Sequence, residues 1–390
     1  MEPNQPTSDE HQDGFRPTRR ELIVKGALGG AALALGGAAL SSATWDWSAS
    51  AWGAELASPP KTKPDKIIVR AWADPWSTNI GDIPGKAFTA KTGIGVEFDT
   101  TDFAEMDTKV RQAIKAGQRP PVDVVYTINR SAYTADVQKL TVPLSKSAVP
   151  NFDKLLSVGK PINGSRNYVT VYTYTTPLFY RKDKTTIPPG SSWNVIFSDQ
   201  YRGKLHVPNN FDALLFPLAK MLKLNPAKSD LAPLWKKLAE LRPNIKIVGD
   251  DTPFISGLTS GEVIVGCALV GDATALQQAG VDVGYVVPKE GAVLTGDAMY
   301  VPRNLPKDTT YWAQVFINEV IDAKLQSQWT ANVSTVPTNR NATPAAAFAN
   351  DPAFPFTSAQ IKKYAIPEPD DLAARNTDAW QSKYTAAIQS

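Results

Sequence analysis

Histidine and cysteine are almost missing from these 390 residues: the histidines are His11 and His206, and Cys267 is the only cysteine. One cysteine excludes an internal disulfide. With so few histidines, a histidine-based zinc centre has too few ligands. A Ser-His-Asp site would rest wholly on His206. That residue sits in "GKLHVPNN", an alternation that reads as a strand entering a loop. Blocks of one charge are absent too. Residues 1–51 hold four of the 41 basic and six of the 38 acidic residues, leaving 37 against 32 in the rest. This mild, dispersed excess excludes a nucleic-acid partner. No resident metal or cofactor is expected. An enzyme built on carboxylates stays open, as does simple binding.

The most apolar stretch, Gly26 to Leu40, is glycine-rich and shorter than the roughly 20 residues of a spanning helix. Glycine costs about 1 kcal/mol in a helix relative to alanine, so the stretch would be a poor permanent anchor. It suits the weakly apolar centre of an export signal, followed by the small residues Ala49-Ser50-Ala51 or Trp52-Gly53-Ala54 for cleavage. Thr18-Arg19-Arg20-Glu21-Leu22 is similar to a twin-arginine signal. No cysteine follows it, which argues against a lipoprotein. Residues 1–51 therefore read as a signal peptide, and residues 52–65, rich in proline and lysine, as a flexible leader.

Beyond the leader the chain alternates. "KIIVRAW" is a strand, "IPGKAFTAKTG" a helix stopped by Gly93, and "IGVEFDTTD" a second strand. "FAEMDTKVRQAIKAG" is a helix with Phe103, Met106, Val110 and Ile114 on one face. "VDVVYT" is a buried strand and "SAYTADVQKL" another helix. Such β-α repetition builds a mostly parallel sheet with helices on both faces. Ligands bind such sheets at the carboxyl ends of the strands, which makes Asp74, Trp76, Thr127, Asn129 and Arg130 suspects. "NYVTVYTYTTPLFYRKD" is too long for one strand and suits a crossing between two domains. A second alternation follows, from about Ile187 to Pro288. Asp297–Asn304 reads as a strand and Tyr311–Trp329 as one amphipathic helix. The remainder reads as loops and short helices.

Several segments, in this order, are similar to landmarks of one family: "VRAWADPW", "FTAKTGIGVEFDT", "SSWNVIFSDQYRGKL", "LRPNIK", "SGEVIVG" and "VVPKEGAVLTGDAMYVP". On these the chain resembles, from about Lys66 to Pro344, the bacterial extracellular solute-binding proteins of the spermidine/putrescine-binding type that serve ABC importers. The resemblance implies an α/β, two-lobed periplasmic-binding-protein fold, with a hinge and a ligand cleft between the lobes. Lobe 1 would take residues 66–172 and about 299–345. Lobe 2 would take 173–298 and about 346–390, with C-terminal helices packing across both. The implied protein is a periplasmic monomer whose partners are a small-molecule amine, a membrane permease and an ATPase.

The family holds its guest with aromatic rings and carboxylates. Trp72 and Asp297 match the family's positions, whereas Leu269, Thr295 and Val336 stand where rings are expected. Asn209 and Asn210 replace an acidic pair, Ala213 replaces a glutamate, and Asp212 lies one step away. Thr127 and Asn129 replace a serine and a tyrosine. This set favours a small amine-bearing solute, polyamine-like or amino-acid- or opine-like. Asp297 would hold the ammonium and Trp72 or Trp76 would cover its methylenes. Arg130 stands ready for a carboxylate, and Asp272 is a further candidate. The plainer alternatives are core rings for Trp72 and Trp76, turn or cap roles for Asp297 and Asp272, and a solvated helix-start charge for Arg130. Two rival functions remain: ferric-iron binding through Tyr172, Tyr174 and Tyr180, and an enzyme using Asp212, Asp272 or Asp297.

Overall fold

A computed structural model describes residues 58–389, so the signal reading for residues 1–51 lies outside the described residues. Part of the expected leader is tied down: Thr62 Oγ1 donates to Asp308 at 2.9 Å, and Lys63 Nζ to the Thr92 carbonyl at 2.7 Å.

The strands are β1 (Lys66–Arg70), β2 (Gly95–Asp99), β3 (Val124–Ile128), β4 (Val169–Thr176), β5 (Leu178–Arg181), β6 (Leu205–Pro208), β7 (Ile245–Gly249), β8 (Val265–Cys267), β9 (Val283–Val286), β10 (Ala292–Tyr300) and β11 (Ala365–Pro367). The helices are α1 (Trp76–Ile80), α2 (Lys86–Thr92), α3 (Phe103–Lys115), α4 (Asn129–Val137), α5 (Asp212–Met221), α6 (Ala232–Ala239), α7 (Asp251–Ser260), α8 (Asp272–Gln278), α9 (Lys307–Val320), α10 (Ala323–Asn332), α11 (Ser358–Tyr364) and α12 (Asp370–Gln389). A π-helical turn at Gly81–Gly85 joins α1 to α2.

Two sheets form two α/β lobes. In the first, β1 pairs in parallel with β2 and β3, while β10 runs antiparallel to β3 and β4 and parallel to β11. The second has the order β7-β6-β8-β5-β9, with β5 antiparallel to its neighbours. Ile67, Val69, Val124, Tyr126, Phe88 and Phe316 lie in one core; Leu178, Trp193, Leu205, Leu214 and Tyr384 lie in the other. Each large apolar side chain so buried stabilises the fold by about 1.5–3 kcal/mol.

The long β-branched run divides at Pro177. β4 stays in the first sheet to Thr176 and β5 enters the second at Leu178, since proline has no N–H with which to continue a ladder. β10 begins earlier than its sequence pattern suggested, and Val293 reaches the second core. The expected helix Tyr311–Trp329 is two helices. Asp322 caps the second, its Oδ1 accepting from the Lys324 and Leu325 amides at 3.0 and 3.2 Å. The C-terminal region holds a 20-residue helix, α12, which buries Ala373, Trp380, Tyr384, Ala387 and Ile388.

His206 is core. Its ring lies 5.0 Å from Phe254, its Nε2 meets the Gly249 carbonyl at 3.2 Å, and burial pushes its pKa down to about 4. Among the described residues no helix is long and apolar enough to cross a membrane.

Candidate functional site

Asp297 stands at the middle of β10, directly opposite Tyr172 of β4, so both side chains lie on one face. Tyr172 donates its hydroxyl proton to Asp297 Oδ2. The carboxyl is 5% exposed, and burial pushes its pKa up to about 7 against the opposing pull of Tyr172, Trp72 and Arg70. The Trp72 indole faces it, yet Trp72 Nε1 and Asp297 Oδ1 are each buried with no hydrogen-bond partner. Around this acid the rings interlock. Trp76 stacks on Tyr172 at 5.0 Å and 12°, and Trp329 meets Tyr172 edge-on at 5.6 Å. Trp72 lies 6.2 Å from Tyr126. Behind them, the buried Arg70 guanidinium sits 4.1 Å from the Trp72 ring. It donates to the carbonyls of Thr101 and Tyr126 at 3.1 and 2.5 Å. Arg70 thereby ties the end of β1 to its neighbours and props Trp72 from the rear.

Lobe 2 contributes a pair of acids where β7 and β8 run out. Asp251 opens α7 and Asp272 opens α8, and the two carboxyls are close enough to act on each other's ionisation, while Asp272 Oδ2 is buried with no hydrogen-bond partner. Burial raises the pKa of both. The Asp251 charge raises Asp272 further, as two carboxylates this close resist joint ionisation. Tyr174 lies opposite Thr295, on the Asp297 face of the strands. Burial raises the Tyr174 phenol most, and the charges of Asp297, Glu368, Asp251 and Asp212 then add to it.

Arg130, at the start of α4 in lobe 1, crosses to lobe 2. Its Nη1 donates to Asp212 at 2.6 Å and to Glu368, just beyond β11, at 3.1 Å, with the side chain only 16% exposed. Burial works against its charge most strongly, but Asp212 and Glu368 raise its pKa overall.

The other expected residues are placed as follows. Asp74 is exposed, and its Oδ1 accepts from Ser77 Oγ at 2.9 Å and from the Thr78 amide at 3.2 Å, fastening the start of α1. Thr127 is buried in β3 with its hydroxyl unpaired. Asn129 is buried, its Oδ1 accepting from Thr170 Oγ1 at 3.0 Å. Asn210 is exposed before α5. Of the three tyrosines, Tyr172 and Tyr174 lie side by side, 6.1 Å between ring centroids, whereas Tyr180 belongs to β5 in the other sheet. Burial and the Asp297 charge raise the phenols of Tyr172 and Tyr174, opposing the phenolate that an iron ligand needs. Among the described residues no group of three or more His, Cys, Asp and Glu side chains is arranged to hold a metal ion.

Sequence reasoning passed over Arg70, Tyr174 as a cleft residue, Asp251 and Glu368. Asp251 carried a usable signal, because it follows the strand "IKIVG" just as Asp74 follows "KIIVRAW". Glu368 had none, standing among prolines beyond the recognisable segments.

Residues 85–356 match the model of the family described as bacterial extracellular solute-binding protein. The spermidine/putrescine-binding periplasmic protein of Escherichia coli K12 is 25% identical over 224 residues, 56% of this chain and 63% of that protein. The chain thus spans somewhat under two thirds of that relative. The putrescine-binding periplasmic protein PotF of the same organism is 26% identical over 335 residues, 78% of this chain and 88% of that one. In three dimensions, the spermidine/putrescine ABC transporter substrate-binding protein PotD of Streptococcus pneumoniae superposes with a TM-score of 0.69 at 20% identity. That match covers 83% of this chain and 98% of the other. The two α/β lobes are therefore those of the periplasmic-binding-protein fold.

Proposed function

Because this chain belongs to the bacterial extracellular solute-binding protein family, whose members bind solutes and are not enzymes, we propose that it captures a small amine-bearing solute between its lobes. Export through the Arg19-Arg20 signal would deliver it to the periplasm, and an ABC permease and ATPase would receive the solute from it. The observation that carries this reading is the buried Asp297 carboxyl beside the Trp72 indole, its Oδ1 without a hydrogen-bond partner.

Ammonium groups pair with carboxylates and lie against ring faces, the ring contact contributing about 0.5–2 kcal/mol. Asp297 Oδ1, unpaired beside Trp72 and near Trp76, is the acceptor for one ammonium. The Asp251–Asp272 pair is the pole for a second, and a cation there would favour the ionised form of both. Arg130 already holds two carboxylates. That favours a polyamine-like guest over an amino-acid- or opine-like one, whose carboxylate would need to displace them.

Thermal unfolding with putrescine, spermidine, ω-amino acids and opines tests this. A true guest at 100 times its Kd adds about 2.7 kcal/mol, and Asp297→Ala removes the effect. If no amine raises the melting temperature, the reading fails.

A further inference from the structure

A second cavity lies behind the hinge strands. Its volume is about 520 Å³, and it is lined by Thr173 of β4, Leu294 of β10, Asn129, Ile162, Glu368 and Asp370, among others. Thr173 alternates with Tyr172 and Tyr174, and Leu294 with Val293 and Thr295. Thr173 and Leu294 therefore face away from the rings around Asp297, while Thr295 and Glu368 also line the cavity and bring one end of it next to the Tyr174 side of the strands.

Its chemistry is uneven. Val158, Pro161, Ile162, Leu294 and Ile361 give it an apolar body, the usual make-up of a small-molecule pocket with a few converging polar groups. At one end stand two acids. Glu368 is taken by Arg130, whose hydrogen bonds go to Asp212 and Glu368. Asp370 is left over: it is 8% exposed, and its Oδ1 has no hydrogen-bond partner. One guanidinium thus serves three carboxylates, with the start of α12 behind Asp370 as partial compensation. The lysine in the lining, Lys160, holds its ammonium 5.8 Å from the Phe152 ring.

We infer that this cavity is a second binding site, for an organic ammonium ion with an apolar body. Asp370 Oδ1 accepts from the ammonium, the Asn129 and Thr173 region lies alongside, and the apolar body lies along Val158, Pro161 and Ile162. Ile162, 53% exposed, marks the mouth. The site centres on Asp370 and not on Asp297, shares Glu368 and Thr295 with the neighbourhood of Tyr174, and an occupant would touch both β4 and β10.

The probe is 4-fluorobenzylammonium, followed by fluorine NMR on the whole exported protein carrying Asp297→Asn to silence the cleft. Saturable binding at one site is expected. Asp370→Asn, or Ile162→Trp at the half-exposed mouth, should each weaken it at least tenfold, and the neutral 4-fluorobenzyl alcohol should bind at least tenfold more weakly. Should Asp370→Asn fail to fold, the Ile162→Trp arm carries the test. Unchanged affinity in these variants, or equal binding of the alcohol, overturns the inference. Binding by the wild-type protein that Asp297→Asn abolishes also overturns it, while leaving the cleft reading intact. Binding that Asp370→Asn removes and Asp297→Asn does not would uphold it even if the cleft takes no amine.

Discussion

Replacing Asp297 by asparagine should make the unliganded protein more stable at pH 8 while ending amine binding. The carboxyl's pKa rises from 3.8 to about 7 on folding. A raised carboxyl favours the native state below its unfolded pKa, and that advantage is lost as pH climbs through the folded value. At about 1.36 kcal/mol per pK unit, ionising Asp297 costs the native state about 4 kcal/mol at pH 8. At pH 5, where most native molecules keep the proton, the cost is about 1.6 kcal/mol. Asparagine escapes this but brings an amide N–H₂ beside the Trp72 N–H, and an unsatisfied buried donor costs about 1–3 kcal/mol. The net gain at pH 8 is therefore about 1–3 kcal/mol. The change between the two pH values is the cleaner quantity, because the asparagine's own penalty cancels. The variant's advantage should shrink by about 2–3 kcal/mol from pH 8 to pH 5. Urea unfolding of both proteins at each pH measures it. An advantage independent of pH, or one that grows on acidification, would show that Asp297 is not a buried acid with a raised pKa.

Other outcomes follow from the same geometry. Amine affinity should fall about 100-fold from well above pH 7 to pH 5, because only about 1% of a group with pKa 7 is ionised there; isothermal titration across that range checks it, and a flat profile would exclude Asp297 as the ammonium's partner. Arg130→Ala should destabilise by about 2–4 kcal/mol, since it strands the half-buried Asp212 and the largely covered Glu368. The coupling with Asp212→Ala in a double-mutant cycle should exceed about 1 kcal/mol. Trp76→Ala removes the ring stacked on Tyr172 and should weaken amine binding by about 0.5–2 kcal/mol, read by the same titration. Gly296→Ala should cost about 1–3 kcal/mol, because a Cβ there would run into the Tyr172 carbonyl and the Thr170 side chain; chemical unfolding would register it.

Local pattern carried much of this molecule. The alternation of strands and helices and the break of the long aromatic run were readable from residue order, whereas Asp297 and Trp72 were singled out by the family resemblance. What was not readable depends on chain closure. Arg130 and Asp212 are 82 residues apart in sequence, and no spacing rule says that a charge on one lobe will meet a charge on the other. Each was read as reaching for a guest, and the fold gives them to each other instead. Asp251 escaped for a different reason. The rule that strand ends face the crevice was applied to the first lobe and not to the second. The length of helix α12 was not legible because its large apolar residues, Leu372, Trp380, Tyr384 and Ile388, are few on a mostly polar background, and their value appears only when the second core receives them.

The nine residues of β10 lie in the first sheet, with Asp297 paired to β3 on one edge and to β4 on the other, while Val293 near its start reaches the second core. The acid is thus gripped on both edges by strands of the first lobe. If one sheet turns against the other, Tyr172 and Asp297 travel together while Asp251 and Asp272 sweep an arc around them. A guest seated at Asp297 keeps that end fixed as the jaws move. On the proposed reading, the far pair would then act as a gauge, and the span it reached at closure would set the length of molecule accepted.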